Sequence, residues 1–241
     1  MYCHPAIILQ RQPYGDRGML LWAYSAEHGY IALLTPCARG KNSGLRLQAL
    51  LHPLAITTIR YTLPRNPDAL GRLIDIEQSE PLCVLTSQTT RCAIALVISE
   101  MLQKILHGRA ATPELFDFLT NTIRLLNNPD APTALFPQIF ALQLAQLLGY
   151  APQGEYSTDT PYFDLETGTF CNHASQGKTS IAPPLARAIS TICSQGYYTQ
   201  PHTCPHTERA ELMRKILLYL QIHSGTDMEL KSLEILTQLF Q

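Results

Sequence analysis

"HGYIALLTPCARGKNSGLR", residues 28–46, decides how the chain is read. Its first half is strand-like, with Ile31, Leu33 and Leu34 following the turn residues at His28–Gly29. Its second half has neither a helical nor a strand period. There Arg39, Lys41 and Arg46 stand among Gly40, Asn42, Ser43 and Gly44. A buried strand that runs into a glycine-rich cationic loop points to a ligand carrying negative charge.

Working outward, four more strand-like runs share the first 80 residues: "AIILQRQ", "MLLWAYS", "LAITTIRYT" and "RLIDIEQ". Turn formers separate them, in "PYGDRG", "AEHG", "CARGKNSG" and "LPRNPDALG". Alternation is clearest at Ile56–Tyr61 and Leu73–Ile76. Five strands in so short a span predict a small closed barrel, and the five-stranded oligonucleotide-binding (OB) barrel is one such solution.

After Pro81 the pattern becomes helical. "TRCAIALVISEMLQKILHG" places apolar residues at 94, 97, 98, 101, 102, 105 and 106, a period near 3.6. "TPELFDFLTNTIRLLNN" offers Thr112 as N-cap and Pro113 at the first helical position. "LFPQIFALQLAQLLG", "PPLARAISTICSQG", "TERAELMRKILLYLQIHSG" and "KSLEILTQLF" continue the series. An irregular insert at about 150–182 contains "YFDLETGTF", a predicted hairpin around Glu166–Gly168. The expected fold is α+β: an OB-type barrel over 1–80, then a mainly helical domain over 81–241 with a small β-hairpin insert.

Composition narrows the function. The 241 residues carry a net charge of -1 and 15 % charged residues, low against roughly 25 % for an average domain. Residues 1–80 hold eight Lys/Arg against six Asp/Glu, and residues 81–241 hold ten against thirteen. No acid lies between Glu27 and Asp68, while Arg39, Lys41, Arg46, Arg60 and Arg65 supply five cations. A cationic face on a small barrel suits a phosphate backbone. The candidates for contact with a phosphate backbone are Arg39, Lys41 and Arg46, with Arg11, Arg60 and Arg65 next. Tyr14, Trp22, Tyr24, Tyr30 and Tyr61 are aromatic residues available for stacking on bases, although residues of this kind more often belong to a core.

Other motifs resolve as ordinary loops. "QGKTS" at 176–180 imitates the end of a phosphate-binding loop, but Asn172 stands where that loop needs glycine and Pro183–Pro184 follow it. Cys171/His173 and His202/Cys204/His206 are metal-ligand types without the paired spacing of a structural zinc site, so no zinc or other cofactor is expected. Seven scattered cysteines fit reduced thiols and a cytoplasmic setting. The uncharged stretch 131–154 is broken by Pro132, Pro137 and Pro152 and reads as an amphipathic helix, so no membrane span is expected. No nucleophile elbow, H-E-x-x-H or carboxylate pair supports an enzyme.

Four blocks resemble the RecO family of bacterial recombination mediators. They are "PYGDRGMLLWAYSAEHGYIALLTPCARGKNSGLRLQALLHPL" (13–54), "LLGYAP" (147–152), "YFDLETGTF" (162–170) and "LKSLEIL" (230–236), in order over essentially the whole chain. The resemblance implies binding to single- and double-stranded DNA, strand annealing, and partnership with RecR. It also implies recognition of the acidic, Phe-ending tail of the single-stranded-DNA-binding protein (SSB), and through it the loading of recombinase onto coated DNA. Two departures stand out. The cysteine pair that many members carry before the hairpin is absent from 151–161, and Ile139 precedes Phe140 where some members place Arg. For the tail, the helices around 93–106, 114–126 and 135–148 supply apolar faces, with Lys104, Arg109 and Arg124 as rim cations. Two other classes stay open: a protein-interaction module without DNA affinity, and a metal-dependent nucleic-acid enzyme on an OB scaffold.

Overall fold

The structure is a computed structural model that describes residues 1–15, 18–36, 50–65, 69–174 and 179–239. Five strands form a closed barrel: β1 (Tyr2–Tyr14), β2 (Gly18–Ser25), β3 (Gly29–Pro36), β4 (Ile56–Thr62) and β5 (Gly71–Ser79), in the order β1-β2-β3-β5-β4. Every ladder is antiparallel except β3–β5, where Leu33 faces Gly71 and Leu34 faces Arg72. That one parallel pair closes the sheet. Gly71 permits it, because a Cβ there would stand 2.7 Å from Leu33 Cδ2 and 2.8 Å from the Thr62 carbonyl oxygen.

β1 serves two neighbours. Residues 2–7 pair with β4 and residues 6–14 with β2, and a register shift between Ile8 and Gln10 marks the handover. There Ile8 turns its backbone to a third segment, its N–H donating to the Ala55 carbonyl at 2.9 Å and its carbonyl accepting from Leu54 N at 2.8 Å. Such a bulge sharpens the bend a small barrel needs. Alternate residues fill the interior, among them Ala6, Ile8, Leu21, Ala23, Leu33, Ile59, Tyr61 and Leu73.

The run "AIIL" is apolar without alternation because both faces of β1 are covered there. Ala6 and Ile8 point into the barrel, whereas Ile7 and Leu9 are buried as well, on the side where helix α2 (Thr89–Ile105) packs. Ser99 on α2 donates its hydroxyl to the Leu9 carbonyl. A short helix α1 (Cys83–Ser87) precedes α2, and α3 (Pro113–Asn127) follows it. The Asn127 side chain accepts from Val84 N at 3.1 Å and Leu85 N at 3.0 Å, tying the end of α3 to the start of α1.

Barrel and these three helices form one compact unit, Met1–Pro129, and Asp130–Gln241 forms a second. The change from strand to helix falls near residue 81 as expected. The compact units divide elsewhere, because the first helices pack on the barrel. In the second unit, α4 (Phe136–Leu147) and α6 (His206–Ser224) pack together, with α5 (Leu185–Gln195) beside α4 and α7 (Ser232–Leu239) closing the chain.

The predicted hairpin is present as β6 (Tyr162–Asp164) and β7 (Thr169–Cys171), and it carries a third strand, β8 (Ser180–Ile181), in the order β7-β6-β8. Asp164 shapes its turn, accepting from Glu166 N and Thr167 N at 2.9 Å each. Phe163 packs its ring 5.6 Å from Tyr219 of α6, and His223 Nε2 donates to the Leu165 carbonyl at 2.9 Å. Thr112 does stand at the N-cap of α3, but its side chain makes no capping hydrogen bond. Instead its N–H donates to the Tyr24 hydroxyl at 3.3 Å. No helix among the described residues is long and apolar enough to cross a membrane.

Candidate nucleic-acid interface

Strand register gives the barrel two distinct ends. Tyr14, Gly18 and Pro36 meet at one. At the other end the start of β1, the end of β4 and the β2–β3 turn come together. Arg39, Lys41 and Arg46 lie outside the described residues.

The remaining arginines separate. Arg60 and Thr62 on β4 face Asp75 and Arg72 on β5, whereas the intervening pair, Tyr61 and Leu73, is buried inside. Arg60 and Arg72 thus share the outer face of one ladder, and exposed Arg65 lies in the connection between those strands. Asp75, an acid on that face, lies 4.0 Å from Arg60 and leaves the pair half-exposed, so the ion pair is weak. Arg11 stands apart, exposed on the far half of β1 opposite Leu21. Arg72 was not singled out in the sequence, because a lone cation at a strand start carries no pattern. Only the register brings it beside Arg60.

Of the aromatic candidates, two are core. Tyr24 is fully buried, with its ring 6.5 Å from Phe116 and its hydroxyl donating to the Ala110 carbonyl at 3.2 Å. Tyr61 is fully buried with its hydroxyl 3.0 Å from Ser25 Oγ and 2.7 Å from His28 Nδ1. Tyr30 packs its ring 5.0 Å from His107, and burial pushes its phenol up to about 12. Trp22 is half-buried and Tyr14 exposed, so these two keep surface to offer.

Burial also pushes the Tyr219 phenol up to about 12. Both groups hold their protons more tightly folded than unfolded, so the stability they contribute is present below pH 10 and lost as pH rises toward 12. In an absorbance titration, these two phenols should ionise last in the native protein and fall to about pH 10 in urea.

The proposed rim cations for a partner tail fare unequally. Arg124 is held by Glu80, its Nε donating to Oε2 at 3.0 Å and its Nη2 to Oε1. That hydrogen bond also holds the Glu80 carboxyl below its usual range. Arg109 donates from Nε to the Ile105 carbonyl at 3.0 Å, and Lys104 sits in the last turn of α2. The helices at 89–105 and 113–127 belong to the first unit and that at 136–147 to the second. Ile139 is buried.

The second unit holds a cavity of about 490 Å³ that the sequence did not reveal. Pro137, Met213, Leu233 and Leu236 give it apolar walls, and Arg209, Arg214 and Glu211 supply charge. Its residues come from α4 and the turn before it, α6 and α7, so no local pattern announces it. For metal, no group of three or more His, Cys, Asp or Glu gathers among the described residues. The Cys171 thiol instead lies 3.2 Å from the His173 carbonyl, and Cys204 is buried with its thiol pushed up to about 11.

Comparison with known proteins supplies the rest. Residues 1–82 match the family "Recombination protein O N terminal" and residues 87–234 match "Recombination protein O C terminal". A DNA repair protein RecO of Azobacteroides pseudotrichonymphae is 22 % identical over 241 residues, covering all of this chain and 99 % of that protein. The one from Bacteroides fragilis is 27 % identical over 237 residues, 97 % of each chain. That of Porphyromonas gingivalis is 27 % identical over 244 aligned positions, 98 % of this chain and 97 % of its own. With an OB-like barrel and a helical region each matched in order, the chain belongs to the recombination protein O (RecO) family of DNA repair proteins.

Proposed function

We propose that the protein is a recombination mediator that binds single- and double-stranded DNA through its barrel, anneals complementary strands, and acts with RecR to load recombinase onto SSB-coated DNA in the bacterial cytoplasm. The observation that carries this reading is the acid-free window between Glu27 and Asp68 on a closed barrel whose β4–β5 face bears Arg60 and Arg72. The activity is an exchange of binding partners, with no bond made or broken and no metal or other cofactor in the reading.

SSB-tail recognition belongs to the second unit on this reading. A terminal Phe needs an apolar recess and its carboxylate a cation, and the cavity bounded by Met213, Leu233 and Leu236 with Arg209 and Arg214 offers both. Lys104, Arg109 and Arg124 remain the alternative rim, with Arg124 already occupied by Glu80.

The test of DNA binding is its salt dependence. Each phosphate contact to a single strand adds a slope near −0.7 in log affinity against log salt. Replacing Arg39, Lys41 and Arg46 together by Ala should flatten the line by about two units, to a similar extent for all sequences. The fold should hold, because substitutions of surface cations cost little stability. An unchanged slope in the folded triple variant would move the interface to Arg60, Arg65 and Arg72. No DNA binding at low salt, with binding to SSB intact, would make the chain a protein-interaction module.

A further inference from the structure

Four rings gather where the barrel end opposite Pro36 would otherwise lie open. Tyr2 and His4 come from β1, His28 from the β2–β3 turn and Tyr61 from β4. The Tyr2 ring lies 4.5 Å from His28, edge-on, and 5.7 Å from Tyr61. His4 lies 5.6 Å from His28 and 6.3 Å from Tyr61. Tyr61 is the buried floor of the group, and its hydroxyl fixes His28 from below through the 2.7 Å hydrogen bond. Ser25 anchors that hydroxyl in turn at 3.0 Å.

The cluster that closes this end is amphipathic. It is built of rings with polar edges, and its outermost member, Tyr2, remains 40 % exposed while His4 and His28 are half-buried. Amphipathic rings held rigid and left partly wet are the makings of a stacking surface. Cations adjoin it: Arg60 stands one residue from Tyr61 and opposite Cys3, and Arg72 stands opposite Thr62. Among the described side chains the nearby acids are Glu27, exposed beside His28, and Asp75, engaged with Arg60.

We infer that Tyr2, backed by His4 and His28, is a base-stacking platform for single-stranded nucleic acid, with Arg60 and Arg72 taking the neighbouring phosphates. The inference rests on the DNA-binding reading above and adds to it the residues that touch bases. The platform occupies the end of the barrel opposite Pro36, the last described residue of β3.

The test uses the full-length protein, a labelled oligo-dT, an abasic strand of equal length and a duplex. Tyr2→Ala should weaken oligo-dT binding by about 5- to 150-fold, the range that loss of one base–aromatic stack produces. The salt slope should not move, since no charge is lost. Duplex binding and the abasic strand should respond by less than about twofold, as neither presents an unstacked base. Tyr2→Phe should behave as the native protein, and the thermal midpoint of each variant checks that the barrel end stays folded.

Native-like oligo-dT binding by Tyr2→Ala, in a protein whose native form binds DNA, overturns the platform and leaves the DNA-binding reading standing. Equal weakening on strand, duplex and abasic strand would make Tyr2 a structural plug and also overturn it. Failure of the native protein to bind any of the three removes both readings.

Discussion

Replacing Gly29 by alanine should destabilise the protein by at least about 3 kcal/mol, from the combined cost of backbone strain and overpacking. Gly29 has φ +68, in the left-handed region where a side chain is strained. An added Cβ would also meet the Arg109 carbonyl oxygen and stand 2.5 Å from Ala110 C and Ala111 N. All three are backbone atoms, so no rotamer change relieves the clash. The β2–β3 turn would have to lift from the 109–112 segment. That would break the 3.0 Å hydrogen bond from Tyr30 N to the Arg109 carbonyl and those between the Tyr24 hydroxyl and Ala110 and Thr112. Urea unfolding should show a lower midpoint at unchanged slope. A loss below about 1 kcal/mol, no more than an average substitution costs, would mean that the turn is not clamped as described.

Arg91 should come second. Only 3 % exposed, it spreads its guanidinium over three acceptors: Gln88 Oε1 at 2.7 Å, the Leu126 carbonyl at 2.7 Å and the Pro129 carbonyl at 2.9 Å. Two of these are main-chain oxygens at the end of α3 and just beyond it, where helix carbonyls lack intrahelical partners. Arg91→Met keeps much of the volume and strands both, so a loss of about 2–4 kcal/mol is expected. Arg91→Lys should recover only part of it, because a compact ammonium cannot reproduce the planar fork. Calorimetry or urea titration reads the loss, and faster amide exchange near Asn127 would locate it. Equal stability of all three proteins would show that the fork is dispensable.

What was legible in the sequence follows from which interactions are local. The five strands were readable because alternation and turn residues are properties of a few neighbours, as in Ile56–Tyr61. Helix α1 was not, since "CVLTS" is five residues with no period, held by Asn127 from 42 or more positions away. The third strand of the small sheet is two residues long and exists only through its pairing with Phe163 and Asp164. For the interface, the charge window was visible and the geometry was not. Trp22, Tyr24 and Tyr61 are equally aromatic in the sequence, yet Tyr24 and Tyr61 are core because of Phe116 and Ser25 respectively. Tyr2 carries no signal in the sequence, because it precedes the apolar run of β1. It acquires neighbours only when β1 pairs with β4, with Tyr2 opposite Tyr61.

The double covering of β1 bears on the order in which the molecule assembles during synthesis. Ala6 to Leu9 leave the ribosome ahead of every segment that covers them: their inner partners arrive with β2 and β4, and their outer cover only with α2, which ends at Ile105. The opening strand is thus among the last to be sheltered, and a nascent chain halted at the close of β5 would still show Ile7 and Leu9 to water. The compact unit to which that strand belongs is Met1–Pro129, barrel and helices together.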